Sequence, residues 1–191
     1  MNCSEITKGL IAAECNKQAN AGVEDDVILI NHSDVDKVAS TITDNVISEL
    51  VLKNGKKGFV FTSIGRSMND TGVSLNVGTY RNTLIHTAML RIFTKNEDSK
   101  KFVNQFIAGA RVIAVFKNKE EGKDGDVKYE AYGWDNGLEI SELTNTVAMT
   151  DTIVYDLQLA STDAAQEGSL PKSVFDTDLA TTEAMLASLT A

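Results

Sequence analysis

The chain has 191 residues, 27 acidic against 18 basic for a formal net charge of -9, with 42% hydrophobic residues and a single proline. That length and apolar share suit one domain with its own core plus peripheral extensions, and they exclude disorder over the bulk of the chain. The negative charge argues against binding to nucleic-acid phosphate or anionic lipid, since no block of Lys and Arg makes a basic face, and no stretch approaches the roughly 20 apolar residues of a membrane-spanning helix.

Residues 1–24 are polar and without sustained period, and they read as an extended arm that orders against something else. Glu5 and Lys8 interrupt any apolar core of a secretion signal, and Glu14 stands before Cys15 where a lipoprotein signal needs a small residue. The expectation is therefore mature sequence made in the cytoplasm, a compartment that favours Cys3 and Cys15 as free thiols over a disulfide closing one loop of the arm. Residues 27–30, Val-Ile-Leu-Ile, are a short buried-type strand, and residues 31–45 are a polar connection.

Residues 46–52 and 58–64 are β-rich runs around Asn54-Gly55, which predicts a hairpin. Val73, Leu75 and Val77 alternate with Ser74, Asn76 and Gly78, which predicts a half-buried strand whose polar face meets solvent or a lumen. Residues 83–94 suit both periods, and their Thr content favours a long strand. The clearest helix spans 98–108: Asn96 or Asp98 caps it, Glu97 and Asp98 suit its positive end, Phe102/Phe106 and Val103/Ile107 pair at i,i+4, and Gly109 closes it.

Residues 112–116, Val-Ile-Ala-Val-Phe, follow as a central strand. Val127, Tyr129 and Ala131 alternate with Lys128, Glu130 and Tyr132 to complete a second hairpin. Asp135-Asn136-Gly137 is a tight turn by its chemistry. Ile153, Tyr155, Leu157 and Leu159 alternate with Val154, Asp156 and Gln158 in a last strand. Residues 178–189 are a short amphipathic helix through Leu179, Leu186 and Leu189, or a tail that orders on a partner. The resulting fold class is mainly β: a β-sandwich or barrel over 25–175 with one flanking helix, an arm at 1–24 and a C-terminal extension at 176–191.

The sequence offers little that could carry catalysis. His32 and His86 lack a nucleophile elbow, and His86, between Leu84 and Ala88, reads as a satisfied structural histidine. Asp34 and Asp36, like Asp124 and Asp126, place carboxylates close together without the full oxygen set of a divalent-cation loop. No phosphate-binding, dinucleotide or Cys-x-x-Cys motif occurs. No catalytic, cofactor-binding or metal-ligating residue is therefore assigned, and the chain is expected to be no enzyme. Trp134 is the one aromatic suspected of binding something, which gives the alternative of a carbohydrate-binding β-sandwich; the other reading is an aromatic packed at the lip of a turn.

From Phe102 to Phe175 the order of features carries a resemblance: the helix ending Phe106-Ile107-Ala108-Gly109-Ala110-Arg111, the strand at 112–116, the Tyr129-Glu130-Ala131-Tyr132-Gly133 strand, the Asp135-Asn136-Gly137-Leu138 turn, the strand at 153–159 and Leu170-Pro171. This order resembles bacteriophage tail-tube-like virion proteins, particularly those of phages and prophages of Bacteroides-type bacteria. The resemblance implies a virion subunit, assembled in the bacterial cytoplasm into rings, usually hexameric, that stack into a hollow DNA conduit alongside other tail or connector proteins; the extension beyond Phe175 departs from the pattern and leaves open a capping, connector or ring protein on the same fold. It further implies that residues 1–24, 52–72 and 176–191 join rings and that the helix at 98–108 lies outside. A negative lumen would keep passing DNA from adhering.

Overall fold

Alternating and continuous apolar runs decide which strands lie at a surface and which lie between two layers. The computed structural model describes residues 22–63, 69–122, 124–145 and 155–191. In them the chain forms β1 (Val23–Asn31), a 3-10 turn (His32–Asp34), β2 (Thr41–Thr43), β3 (Val46–Glu49), β4 (Phe59–Thr62), β5 (Asp70–Asn76), β6 (Thr83–Ile92) and α1 (Glu97–Ile107). There follow β7 (Val112–Asn118), β8 (Tyr129–Tyr132), β9 (Glu139–Asn145), β10 (Tyr155–Ala160), β11 (Lys172–Val174) and α2 (Leu179–Thr190). The strands make a seven-stranded sheet, β2-β3-β11-β8-β7-β1-β4, and a four-stranded sheet, β5-β6-β10-β9.

The β-sandwich with a flanking helix is thus the observed architecture. Val112, Ala114 and Phe116 of β7 meet Ala88, Leu90, Leu157 and Leu159 of the four-stranded sheet in one core, together with Phe106 of α1. Ile113 and Val115 point the other way, into a second core with Ile30, Ile47, Trp134, Leu186 and Leu189. The seven-stranded sheet is therefore covered on both faces, by the smaller sheet and by α2, which is why 112–116 is apolar at every position.

Helix α1 begins where its capping predicts: Asn96 Oδ1 accepts from the Ser99 N–H at 2.8 Å, and the Asn96 N–H donates to Ser99 Oγ at 3.3 Å. Phe102 packs edge-on to Phe106 at 5.2 Å and stacks on Phe61 at 5.6 Å, fixing α1 at the side of the core. For residues 178–189 the helical reading holds. Asp178 Oδ1 caps α2 through the Thr181 N–H at 2.7 Å, and the Gly58 N–H donates to the Leu189 carbonyl at 2.7 Å.

Two expectations are corrected. The Asn54-Gly55 turn exists, with Gly55 at φ +72°, but the strands it joins are not neighbours: β3 pairs with β2 and β11, while β4 pairs with β1. After Leu50 the chain bonds back to the 32–36 segment, with Val35 bridged to Leu52 and the Lys53 N–H on the Asp34 carbonyl at 2.8 Å, so it leaves the line of β3 before the turn. A local turn signal cannot encode that detour. Strand β5 pairs with β6 as its alternation predicts, yet Val73, Leu75 and Val77 are 38%, 61% and 74% exposed, because this part of the hairpin overhangs the sandwich. The polar connection at 31–45 also contains the 3-10 turn and β2. Residues 1–21, 146–154 and 64–68, on which parts of the arm, the last strand and the first hairpin were expected, lie outside the described residues.

Candidate functional site

The Gly133–Trp134–Asp135–Asn136–Gly137 stretch turns sharply between β8 and β9, with Gly133 and Gly137 at φ +75° and +83°. A side chain at Gly133 would meet Leu138, the backbone N included, at 2.7–2.9 Å, so the turn needs glycine there for space as well as conformation. Against it lies a strap, residues 161–171, that carries the chain from β10 in one sheet to β11 in the other. Glu167 in the strap is 1% exposed, and its carboxylate accepts from the Asp135 N–H at 2.7 Å and the Asn136 N–H at 2.9 Å. Burial holds this carboxyl above the usual range, against the two backbone N–H groups that favour its charge.

His86 of β6 is also 1% exposed, and both ring nitrogens go to backbone: Nε2 donates to the Ser169 carbonyl at 2.9 Å, and Nδ1 accepts from the Gly133 N–H at 3.2 Å. His32 reaches the same turn from its other side, with Nε2 3.1 Å from the Asp135 carbonyl, and Lys37 Nζ donates to that oxygen at 2.9 Å. Burial and then Lys37 depress the His32 pKa. The two histidines considered as chemistry thus flank one turn, and each spends a ring nitrogen on its backbone.

The carboxylate pairs separate. Asp34 is buried, accepts from Asn31 Nδ2 at 2.9 Å and pairs with Lys56 at 3.2 Å; the Asn31 bond, above all, holds it below the usual carboxylate range. Asp36 instead accepts from the Val38 and Ala39 N–H groups at 3.1 and 3.0 Å, an Asx turn. Asp124, at φ +61°, and Asp126 sit exposed in the loop between β7 and β8. Trp134 is 4% exposed and packed in the second core with Lys37 Nζ 5.8 Å from its ring centre, so it offers no free face to a sugar.

One cluster had no sequence signal. Lys128, 5% exposed, pairs with Glu24 at 2.9 Å and Glu121 at 3.1 Å; Lys117 pairs with Glu24 at 3.6 Å and Glu183 at 3.3 Å; and the Tyr129 hydroxyl donates to Glu183 at 3.0 Å. Alternation placed Lys128 opposite a core position, yet on that side Glu24 of β1 and Glu121 of the loop after β7 meet its ammonium. The chain of charges ties the start of β1 to α2.

The outer face of the four-stranded sheet is an organised polar surface. Register places Asp70, Gly72, Ser74 and Asn76 of β5 beside Met89, Thr87, Ile85 and Thr83 of β6. Asp156 and Gln158 of β10 continue that row next to Arg91 and Met89, with Glu142 and Thr144 of β9 beyond. Ser74, Asn76, Asp156 and Gln158, read from sequence as the polar side of two separate strands, therefore share one face. Arg91 bridges Asp70 at 3.0 Å and Asp156 at 3.8 Å, leaving carboxylates in excess there. Among the described residues, neither β5 nor β9 has a strand on its far side. Comparison of the chain with family models, with curated proteins and with solved structures finds no match, and no helix among the described residues is long and apolar enough to cross a membrane.

Proposed function

We propose that this chain is the repeating subunit of a ring-stacked tube, a virion structural protein of the bacteriophage tail-tube-like kind it resembles. The observation that carries the reading is the four-stranded sheet: one face on the core, one face polar and acidic, and both edges open among the described residues. All its pairings are antiparallel, so β5 and β10 run one way and β6 and β9 the other. Copies repeated around an axis bring β9 of one against β5 of the next in antiparallel sense, and the ladder continues without a break. Exposed backbone edges are otherwise a liability for a soluble chain.

Six copies, the usual number in the family, close roughly 24 strands, well beyond the roughly 16–18 at which a barrel already leaves an open channel. The wall facing that channel carries Asp70, Glu142 and Asp156 against Arg91, so DNA phosphate meets few cations. The test is light scattering and negative-stain microscopy of the purified chain at high concentration, with rings or tubes expected. Val73→Lys with Leu75→Lys, both at exposed positions of β5, is expected to abolish them at unchanged circular dichroism. A strictly monomeric wild-type particle overturns the reading.

A further inference from the structure

The strap holds more than the 133–137 turn. The Leu84 and Glu167 backbones exchange both hydrogen bonds at 2.9 Å, and Gln166 Oε1 accepts from Asn76 Nδ2 at 3.0 Å and from the Thr83 hydroxyl. The turn end of the β5–β6 hairpin is therefore tied to the strap, and the strap is tied to His86.

The His86 contacts admit one protonation state. The Ser169 carbonyl offers no hydrogen, so Nε2 carries the proton; the Gly133 N–H offers no lone pair, so Nδ1 keeps its own. A second proton sets Nδ1–H against the Gly133 N–H and buries a cation at a residue that is 1% exposed. The groups around the ring come from several elements: Asp135 from the turn, Glu130 and Tyr132 from β8, Lys172 from β11, and Ser161 at the end of β10. Burial, reinforced by Lys172, outweighs the Ser169 carbonyl and the carboxylates of Asp135 and Glu130, and it holds the ring below the ordinary histidine range.

We infer that His86 is a proton-operated latch whose protonation releases the strap and with it the turn end of the β5–β6 hairpin, residues 76–85, while the two cores, with Ala88 and Leu90 of β6, stay folded. Glu167 works in the opposite sense. Its carboxyl takes up a proton more readily when latched than when released, so acid strengthens its hold and the release belongs to His86.

The test is amide exchange of the full chain between pH 7.5 and 5.5, corrected for the intrinsic pH dependence of exchange. The expected result is that opening of 76–85 and 161–171 increases about tenfold per pH unit below about 6.5, the ordinary histidine value, while 112–118 does not change. His86→Gln keeps an amide donor and acceptor at that position without a titration, and it should flatten the response. Ring nitrogen NMR of the wild type gives a second readout independent of that variant, in which the latched ring stays in the neutral Nε2–H form and the cation is seen only together with the opened strap. Strap exchange that follows 112–118, a response retained in His86→Gln, or a ring that titrates without opening overturns the latch.

Discussion

Replacing Glu167 by alanine removes the acceptor of two backbone N–H groups, those of Asp135 and Asn136, at 2.7 and 2.9 Å. A buried donor stripped of its partner costs about 1–3 kcal/mol. Both residues of the turn are only half-buried, so water reaches part of it and the lower part of the range applies, roughly 2–4 kcal/mol for the pair. In a chain of this size that is a fall in Tm of roughly 4–16 °C. Glu167→Gln retains one carbonyl acceptor and should lose about half as much. The pH dependence has a definite sign. With its folded-state pKa raised by burial, the wild-type carboxyl lends stability below the ordinary carboxylate range, and that stability is lost as pH rises through the folded value. The deficit of Glu167→Gln against wild type should therefore widen as pH is lowered. Urea unfolding at pH 7.5 and 5 measures both quantities. A Glu167→Ala cost under about 1 kcal/mol, or a Gln deficit that narrows in acid, would refute the role given to this carboxylate.

Deleting 179–191 uncovers the second core by removing Leu186 and Leu189, which are 2% and 7% exposed, and should cost about 3–6 kcal/mol with a rise in binding of a hydrophobic dye; an unchanged Tm would contradict the packing of α2. Spectrophotometric titration should find two phenols, Tyr129 and Tyr132, ionising only at about 12, Tyr129 through burial and then Glu183, Tyr132 chiefly through burial. Since the folded chain favours their neutral forms, their contribution to stability is intact below pH 10 and is lost as pH rises towards about 12.

Much of the sandwich was legible because its signals are local. Parity alone placed Leu157 and Leu159 inward and Asp156 and Gln158 outward in β10, and a cap at Asn96 or Asp98 with a closing glycine located α1 within one residue at either end. The continuous run in β7 announced a strand with two covered faces. Pairing between distant segments was not legible. Asn54-Gly55 carries the chemistry of a hairpin, but the partners of β3 and β4 are chosen by Ile47 and Phe61 finding opposite cores, a decision made over the whole chain. The strap left no trace either: Gln166, Glu167 and Ser169 look like solvent-facing residues, and only the tertiary fold turns the carboxylate inward onto two N–H groups. His86 was read correctly as satisfied, whereas Trp134 went to its packed reading because the second core needed its volume.

The position of β11 in the larger sheet has a consequence for synthesis. Among the described residues, the β2–β3 pair reaches the rest of that sheet only through Lys172–Val174, which lies between β3 and β8. The β5–β6 hairpin likewise waits for β10. A nascent chain can therefore form the local pairs β1–β4, β2–β3 and β5–β6 early, but the β2–β3 and β5–β6 pairs stay undocked until residues 155–174 have been made, so neither sheet is complete before then. On the proposed ring assembly, edge-to-edge joining through the four-stranded sheet would wait until β10 has docked and that sheet is whole.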